Sequence, residues 1–167
     1  MGQRQSDFEA LIVPHAASLL RFARRLCGNA GEAEDIVQDA LLRAWRGLGG
    51  LRDDSNPRAW LFRILLNTWH SAGRRKSARP VEMPLRNAAQ AASEGLAESA
   101  ELNQALSRLP EDQRTVLLLA VVEGFACREM AEMLGIPIGT VMSRLSRARA
   151  AMRELVTSER KTGVSPG

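Results

Sequence analysis

Tyrosine is absent from this chain, and its aromatic residues stop at three tryptophans and four phenylalanines. Valine and isoleucine are outnumbered by alanine, leucine, arginine and glutamate. So few β-branched and aromatic residues leave little to fill a pleated sheet, and the balance favours helix. Cysteine is also scarce. Cys27 and Cys127 stand alone, with no CxxC and no histidine at ligand spacing, which excludes a zinc site and a disulfide framework. Both are expected as small core residues in a reducing compartment. No apolar run approaches the roughly 20 residues needed to span a membrane. The polar stretch Met1 to Asp7 does not read as a signal peptide, and its fit to a myristoylation pattern is loose. His15 and His70 are the only histidines, and neither has a cysteine, serine or acid at the spacing of a nucleophile–base pair. An enzyme is therefore the least favoured class, and no metal or cofactor is expected.

What the chain does have is arginine. Only Lys76 and Lys161 are lysines, so 21 of the 23 basic residues are arginines, against 19 acids and a net charge of +4. Arginine suits bidentate recognition of phosphate and guanine. A GC-rich genome produces the same bias, so the count alone does not decide. Placement is more informative. Residues 1–80 hold 13 basic and 8 acidic groups, residues 81–110 hold 2 and 4, and residues 111–167 hold 8 and 7. Within the last stretch, Ile138 to Arg153 carries Arg144, Arg147, Arg149 and Arg153 with no acid. A basic block of this kind on one helix is the footprint of a nucleic-acid contact.

The periodicity predicts two small helical domains, 6–78 and 98–157, joined by a linker over 79–97 and followed by a disordered tail, 158–167. The first helix is expected from about Asp7 to Cys27, ending at Gly28-Asn29. The second runs from about Ala30 to Arg46 with an apolar stripe of Ala33, Ile36, Val37, Ala40, Leu41, Ala44 and Trp45. It stops at Gly47-Leu48-Gly49-Gly50. A loop with a turn signal at Asn56-Pro57 leads to the third helix, Pro57 to about Lys76. Its core face is Ala59, Phe62, Leu65, Leu66 and Trp69. Pro80 and Pro84 then open a polar Ala/Ser/Asn/Gln stretch.

In the second domain Leu102, Ala105, Leu106 and Leu109 line one helix, broken at Pro110. Glu111 to Glu123 forms another, with Val116, Leu117, Ala120 and Val121 facing inward. Next come three residues that fit a helix-turn-helix. Ala131 is small where two helices cross, Gly135 can take the positive φ of a sharp turn, and Val141 packs the second helix on the first. Met130, Leu134, Ile136 and Leu145 complete that core. A plain helical hairpin would share this spacing. It would also mix acids into its surface, whereas none appears between Ile138 and Glu154. The second helix is thus expected in the major groove, with Met142, Ser143, Ser146 and Arg147 near base edges. Thr140, Arg144 and Arg149 would hold phosphates, although some of these arginines could pair with Glu129 or Glu132.

The first domain offers two further faces. Opposite the apolar stripe of helix 30–46 lie Asp35, Gln38, Asp39, Leu42 and Arg46, a leucine within a charged stripe that fits a protein-contact anchor. Single exposed leucines are also common. On helix 57–76 Trp60, Arg63, Asn67, His70 and Arg74 recur at steps of three and four, ending in Arg74-Arg75-Lys76. Cations, amides and a flat aromatic on one face suit unstacked bases. Trp60 and Asn67 fit the core better; the arginines do not.

Four segments in this order resemble a known family. Glu34 to Trp45 resembles the region 2 helix with which bacterial sigma factors of the extracytoplasmic-function (ECF) group bind core RNA polymerase. Pro57 to Asn67 resembles the next helix, facing the −10 element. Leu109 to Arg114 and Gly135 to Arg149 resemble region 4, which reads the −35 element. The resemblance implies an all-α, two-domain protein that docks on the β′ clamp helices and the β flap of core RNA polymerase and guides it to promoter DNA. It implies −10 contacts from Arg58, Arg63, Asn67, His70, Arg74, Arg75 and Lys76, and base capture by the loop Leu48 to Asn56. It implies polymerase contacts from the stripe Asp35 to Arg46, −35 contacts from Thr140 to Arg149 as above, and silencing by an anti-sigma factor. Departures are Met142 where Lys or Arg is frequent, Ser146 where His or Phe is frequent, Ser71 for a frequent Asp, Leu66 for a frequent basic residue, and Phe125-Ala126-Cys127 at the entry to the helix-turn-helix. Rival readings are a sigma-like decoy that titrates an anti-sigma factor, and an ordinary helix-turn-helix repressor or activator.

Overall fold

The computed structural model describes residues 2–52, 55–77 and 96–162, and among these residues there are helices and no strands. The chain divides into two compact units, one within residues 1–91 and one within 92–167. Asp53, Asp54 and the linker stretch containing Pro80 and Pro84 lie outside the described residues.

The first unit opens with α1 (Gly2–Leu11), a 3-10 turn (Val13–His15) and α2 (Ala16–Cys27). The single helix expected from Asp7 to Cys27 is therefore broken. Pro14 lacks an N–H and its ring excludes the carbonyl four residues back, so the chain turns there and restarts. Ile12, at the break, is fully buried. α2 buries Leu19, Phe22, Ala23 and Leu26, one helical stripe, and ends where Gly28 takes φ 69° and donates its N–H to the Arg24 carbonyl. The Asn29 side chain then caps α3 (Ala30–Gly47) by accepting the Glu32 N–H at 3.2 Å. Ala33, Ala40 and Ala44 have no exposure and let α3 approach both α2 and α4. A 3-10 turn (Leu48–Gly50) buries Leu48. Asn56 caps α4 (Pro57–Ser77), its Oδ1 accepting the N–H groups of Arg58 and Ala59, with Pro57 in the first turn. Leu61, Phe62, Leu65 and Leu66 are buried, and Phe62 meets Phe22 edge-on at 5.2 Å.

The second unit comprises α5 (Leu96–Ser107), α6 (Glu111–Leu117), a π turn (Leu118–Val122), α7 (Cys127–Leu134) and α8 (Ile138–Thr162). In the π turn the Glu123 N–H reaches the Leu118 carbonyl, five residues back. The wider turn shifts the apolar phase. Leu118 and Leu119 are buried, and Val121, expected inside, is 63% exposed. Leu102 is likewise exposed, because α5 packs through Ala105 and Leu106 and the following Leu109 instead. α8 continues to Thr162, past the point where the tail was expected to begin. The hydroxyls of Thr157 and Ser158 bond back to the carbonyls of Arg153 and Leu155 and so do not compete with the helix. Cys27 and Cys127 are half-buried rather than full core residues. Among the described residues no helix is long and apolar enough to cross a membrane, and no cluster of acids, His and Cys is placed to hold a metal ion.

Candidate nucleic-acid interface

The turn between α7 and α8 determines where α8 points. Gly135 has φ 65°, a left-handed conformation that costs other residues about 1–2 kcal/mol. It lets two successive N–H groups, Gly135 and Ile136, close on the Ala131 carbonyl. Pro137 follows, its carbonyl accepting the N–H groups of Thr140 and Val141 and so starting α8. At the other end of α7, the Glu129 carboxylate accepts the Ala126 N–H at 2.8 Å, one half of a capping box. The core beneath is Met130, Met133, Val141, Leu145 and Ala148. Met133 takes the place expected of Leu134, which is half-buried along with Ala131 and Ile136.

The opposite side of α8 is open. Met142, Ser143, Ser146, Arg147, Arg149 and Arg153 are exposed, and Thr140 is half-buried. Among the described residues neither Glu129 nor Glu132 takes an arginine from α8. Glu129 caps α7, and Glu132 pairs with Arg128 along α7 at 3.8 Å. Arg144 does pair, through Nε to Asp112 Oδ2 at 3.2 Å, which ties α8 to the first turn of α6. A partly exposed pair of this kind is worth about 0.2–1 kcal/mol. Among the described residues Arg147 and Arg149 make no ion pair. The segment Leu109 to Arg114 has a structural role that the sequence did not disclose. Arg114 donates to the carbonyls of Leu106, Ser107 and Leu109, satisfying the end of α5 and locking it to α6.

In the first unit only part of the stripe on α4 lies at the surface. Arg63, Asn67, His70, Arg74 and Arg75 are exposed, so Asn67 is not a core residue. Trp60 is half-buried, and a Cβ on Gly47 would lie 3.4 Å from its ring. Arg58 is drawn inward, its guanidinium 5.4 Å from the centre of the Phe62 ring. Arg74 donates to the Ser71 hydroxyl at 3.3 Å. Lys76 lies on the last turn of α4. On α3, Asp35, Gln38, Leu42 and Arg46 are exposed, with Leu42 at 55%, and Asp39 is held by Arg43 at 3.1 Å. The end of α3 is steadied by α1. Arg4 donates to the carbonyls of Trp45 (2.6 Å) and Arg46 (2.9 Å) while lying over the Trp45 ring, and Phe8 meets that ring edge-on. Nothing in the periodicity of residues 1–10 marks this contact.

Comparison with known proteins agrees with both units. The Sigma-70 region 2 model matches residues 11–79, and the Sigma-70 region 4 model matches residues 99–152. The ECF RNA polymerase sigma factor EcfG of Rhodopseudomonas palustris is 37% identical over 150 residues, covering 87% of this chain and 82% of that protein. Among solved structures, the sigma factor RpoE of Bartonella quintana, crystallised with the anti-sigma factor NepR, aligns with a TM-score of 0.75 at 34% identity, over 90% of this chain and 97% of that one. CnrH, in complex with the cytosolic domain of CnrY, aligns with a TM-score of 0.72 at 30% identity, over 92% and 90%. This chain belongs to the ECF group of the sigma-70 family of RNA polymerase sigma factors.

Proposed function

We propose that residues 6–78 and 98–157 work as the two promoter-reading halves of one cytoplasmic initiation factor, with 79–97 as the tether. In this reading α3 presents Asp35, Gln38, Asp39, Leu42 and Arg46 to the β′ clamp helices, and the second unit docks on the β flap. Arg63, Asn67, His70, Arg74, Arg75 and Lys76 on α4, with Arg58 near its start, face the −10 element. The loop from Leu48 to Asn56 captures bases that have left the stack, at roughly a few kcal/mol each. Thr140, Met142, Ser143, Arg144, Ser146, Arg147 and Arg149 face the −35 element, the arginines contributing affinity that falls with salt. The protein directs polymerase and catalyses nothing itself. An anti-sigma partner is inferred from the likeness to RpoE, which was solved with the anti-sigma factor NepR.

The observation that carries this reading is the exposed face of α8 over residues 138–153, free of acids and placed directly behind the left-handed turn at Gly135. A decoy that only titrates an anti-sigma factor has no need of it. Reconstitution separates the two. The full chain mixed with core polymerase should elute as one complex that retains promoter duplex under salt-dependent competition. A chain that binds an anti-sigma protein but neither polymerase nor duplex contradicts the proposal.

A further inference from the structure

The opening turns of α8 hold two side chains that the arginines do not account for. Ile138 and Met142 lie four residues apart, hence on one face of the helix, and are 48% and 57% exposed. Val141, Leu145 and Ala148 on the same helix are buried, so the fold has an apolar side available and leaves these two outside it. Gly139, between them, would carry a Cβ with nothing within 4 Å, so the space over this turn is empty of protein. Ser143, Ser146 and Arg147 are exposed on the same stretch, and no acid occurs between residues 138 and 153. Such surroundings attract a polyanion. The apolar group that a duplex offers at its base edges in the major groove is the C5-methyl of thymine.

We infer that Ile138 and Met142 form a paired apolar reader of thymine methyl groups. The −35 element of this chain's promoters then contains thymine on the strand facing the start of α8. The inference rests on the proposed reading of α8 as the −35 helix and specifies what it reads. The short side chains of Ser143 and Ser146 leave the helix free to lie close to the base edges, and Arg147 supplies the adjacent phosphate or guanine contact. A protein partner seated on the same two residues is the competing occupant. The absence of acids across the face favours the duplex.

The test uses the full chain bound to core polymerase, selecting from duplexes randomised across the −35 positions. The enriched element should contain thymine. Replacing each thymine in turn with deoxyuridine removes only the methyl group. At one or two positions this should weaken binding about fourfold, the effect of one buried carbon. Met142→Ala or Ile138→Ala should bind the thymine and uracil duplexes alike while keeping the salt dependence and thermal unfolding of the parent. The inference is overturned if the enriched element lacks thymine, if the parent ignores uracil at every position, or if both variants keep full thymine dependence. Indifference to uracil combined with escape of the two variants from anti-sigma inhibition assigns the face to a protein instead. If no element is enriched although the complex forms, the reading of α8 as the −35 helix fails, and this inference fails with it.

Discussion

Arginines divide into those spent inside the fold and those left to meet something else. Arg4 and Arg114 satisfy helix-end carbonyls, Arg24, Arg43, Arg128 and Arg144 face carboxylates, and Arg58 stacks on a ring. Arg147 and Arg149 stand outside these arrangements. The two classes should respond to mutation in opposite ways. Arg114→Ala removes charge-assisted hydrogen bonds at the end of α5, where one such bond is worth about 1.5–3 kcal/mol, while the Leu106 carbonyl keeps the Leu109 N–H. Thermal unfolding of the second unit should register a loss of about 2 kcal/mol. Arg147→Ala should leave unfolding within about 0.5 kcal/mol of the parent. Its cost should appear as weaker −35 binding by about 1–3 kcal/mol, measured by duplex titration of the polymerase-bound protein. Leu42→Ala makes the same kind of prediction for α3. An exposed leucine contributes little to stability, so the expected change is a lower affinity for core polymerase with unaltered unfolding.

At the scale of elements, the turn between α7 and α8 is the most exacting feature. Gly135→Ala forces a Cβ into left-handed backbone, and unfolding should show a loss of about 1–2 kcal/mol. If the strain is relieved by reopening the turn, −35 binding falls further than that loss alone accounts for. This turn was legible in the sequence because Gly135, between an apolar helix and Ile136-Pro137, admits few other geometries. So were the boundaries of α3 and α4, announced by Asn29 and by Asn56-Pro57. The break at Pro14 carries the same kind of signal, but the apolar pattern on either side of it is continuous and masks it. The π turn at 118–122 was not available. A periodicity argument assumes 3.6 residues per turn, and one widened turn rotates every later residue, which is how Val121 came to face water. The open face of α8 could be read from missing acids. The pairing of Arg144 with Asp112, 32 positions apart in the chain, could not, because only tertiary packing brings them together.

For the whole molecule, the decisive fact is that each unit has its own apolar core and its own exposed cationic helix face. Phe22 and Phe62 anchor one core, and Val116, Leu119, Met130 and Val141 anchor the other. Neither face is required by the core beneath it, so both are free to answer to a partner. Core polymerase and one promoter are the partners that would use both at once. Transcription in vitro from a genomic template library, with start sites mapped for core polymerase alone and with this protein added, tests that claim most directly. The account predicts new start sites that depend on the protein, share sequence near −35 and −10, and weaken with Arg147→Ala and with Leu42→Ala. Start sites identical with and without the protein, under conditions where it binds core polymerase, would contradict it.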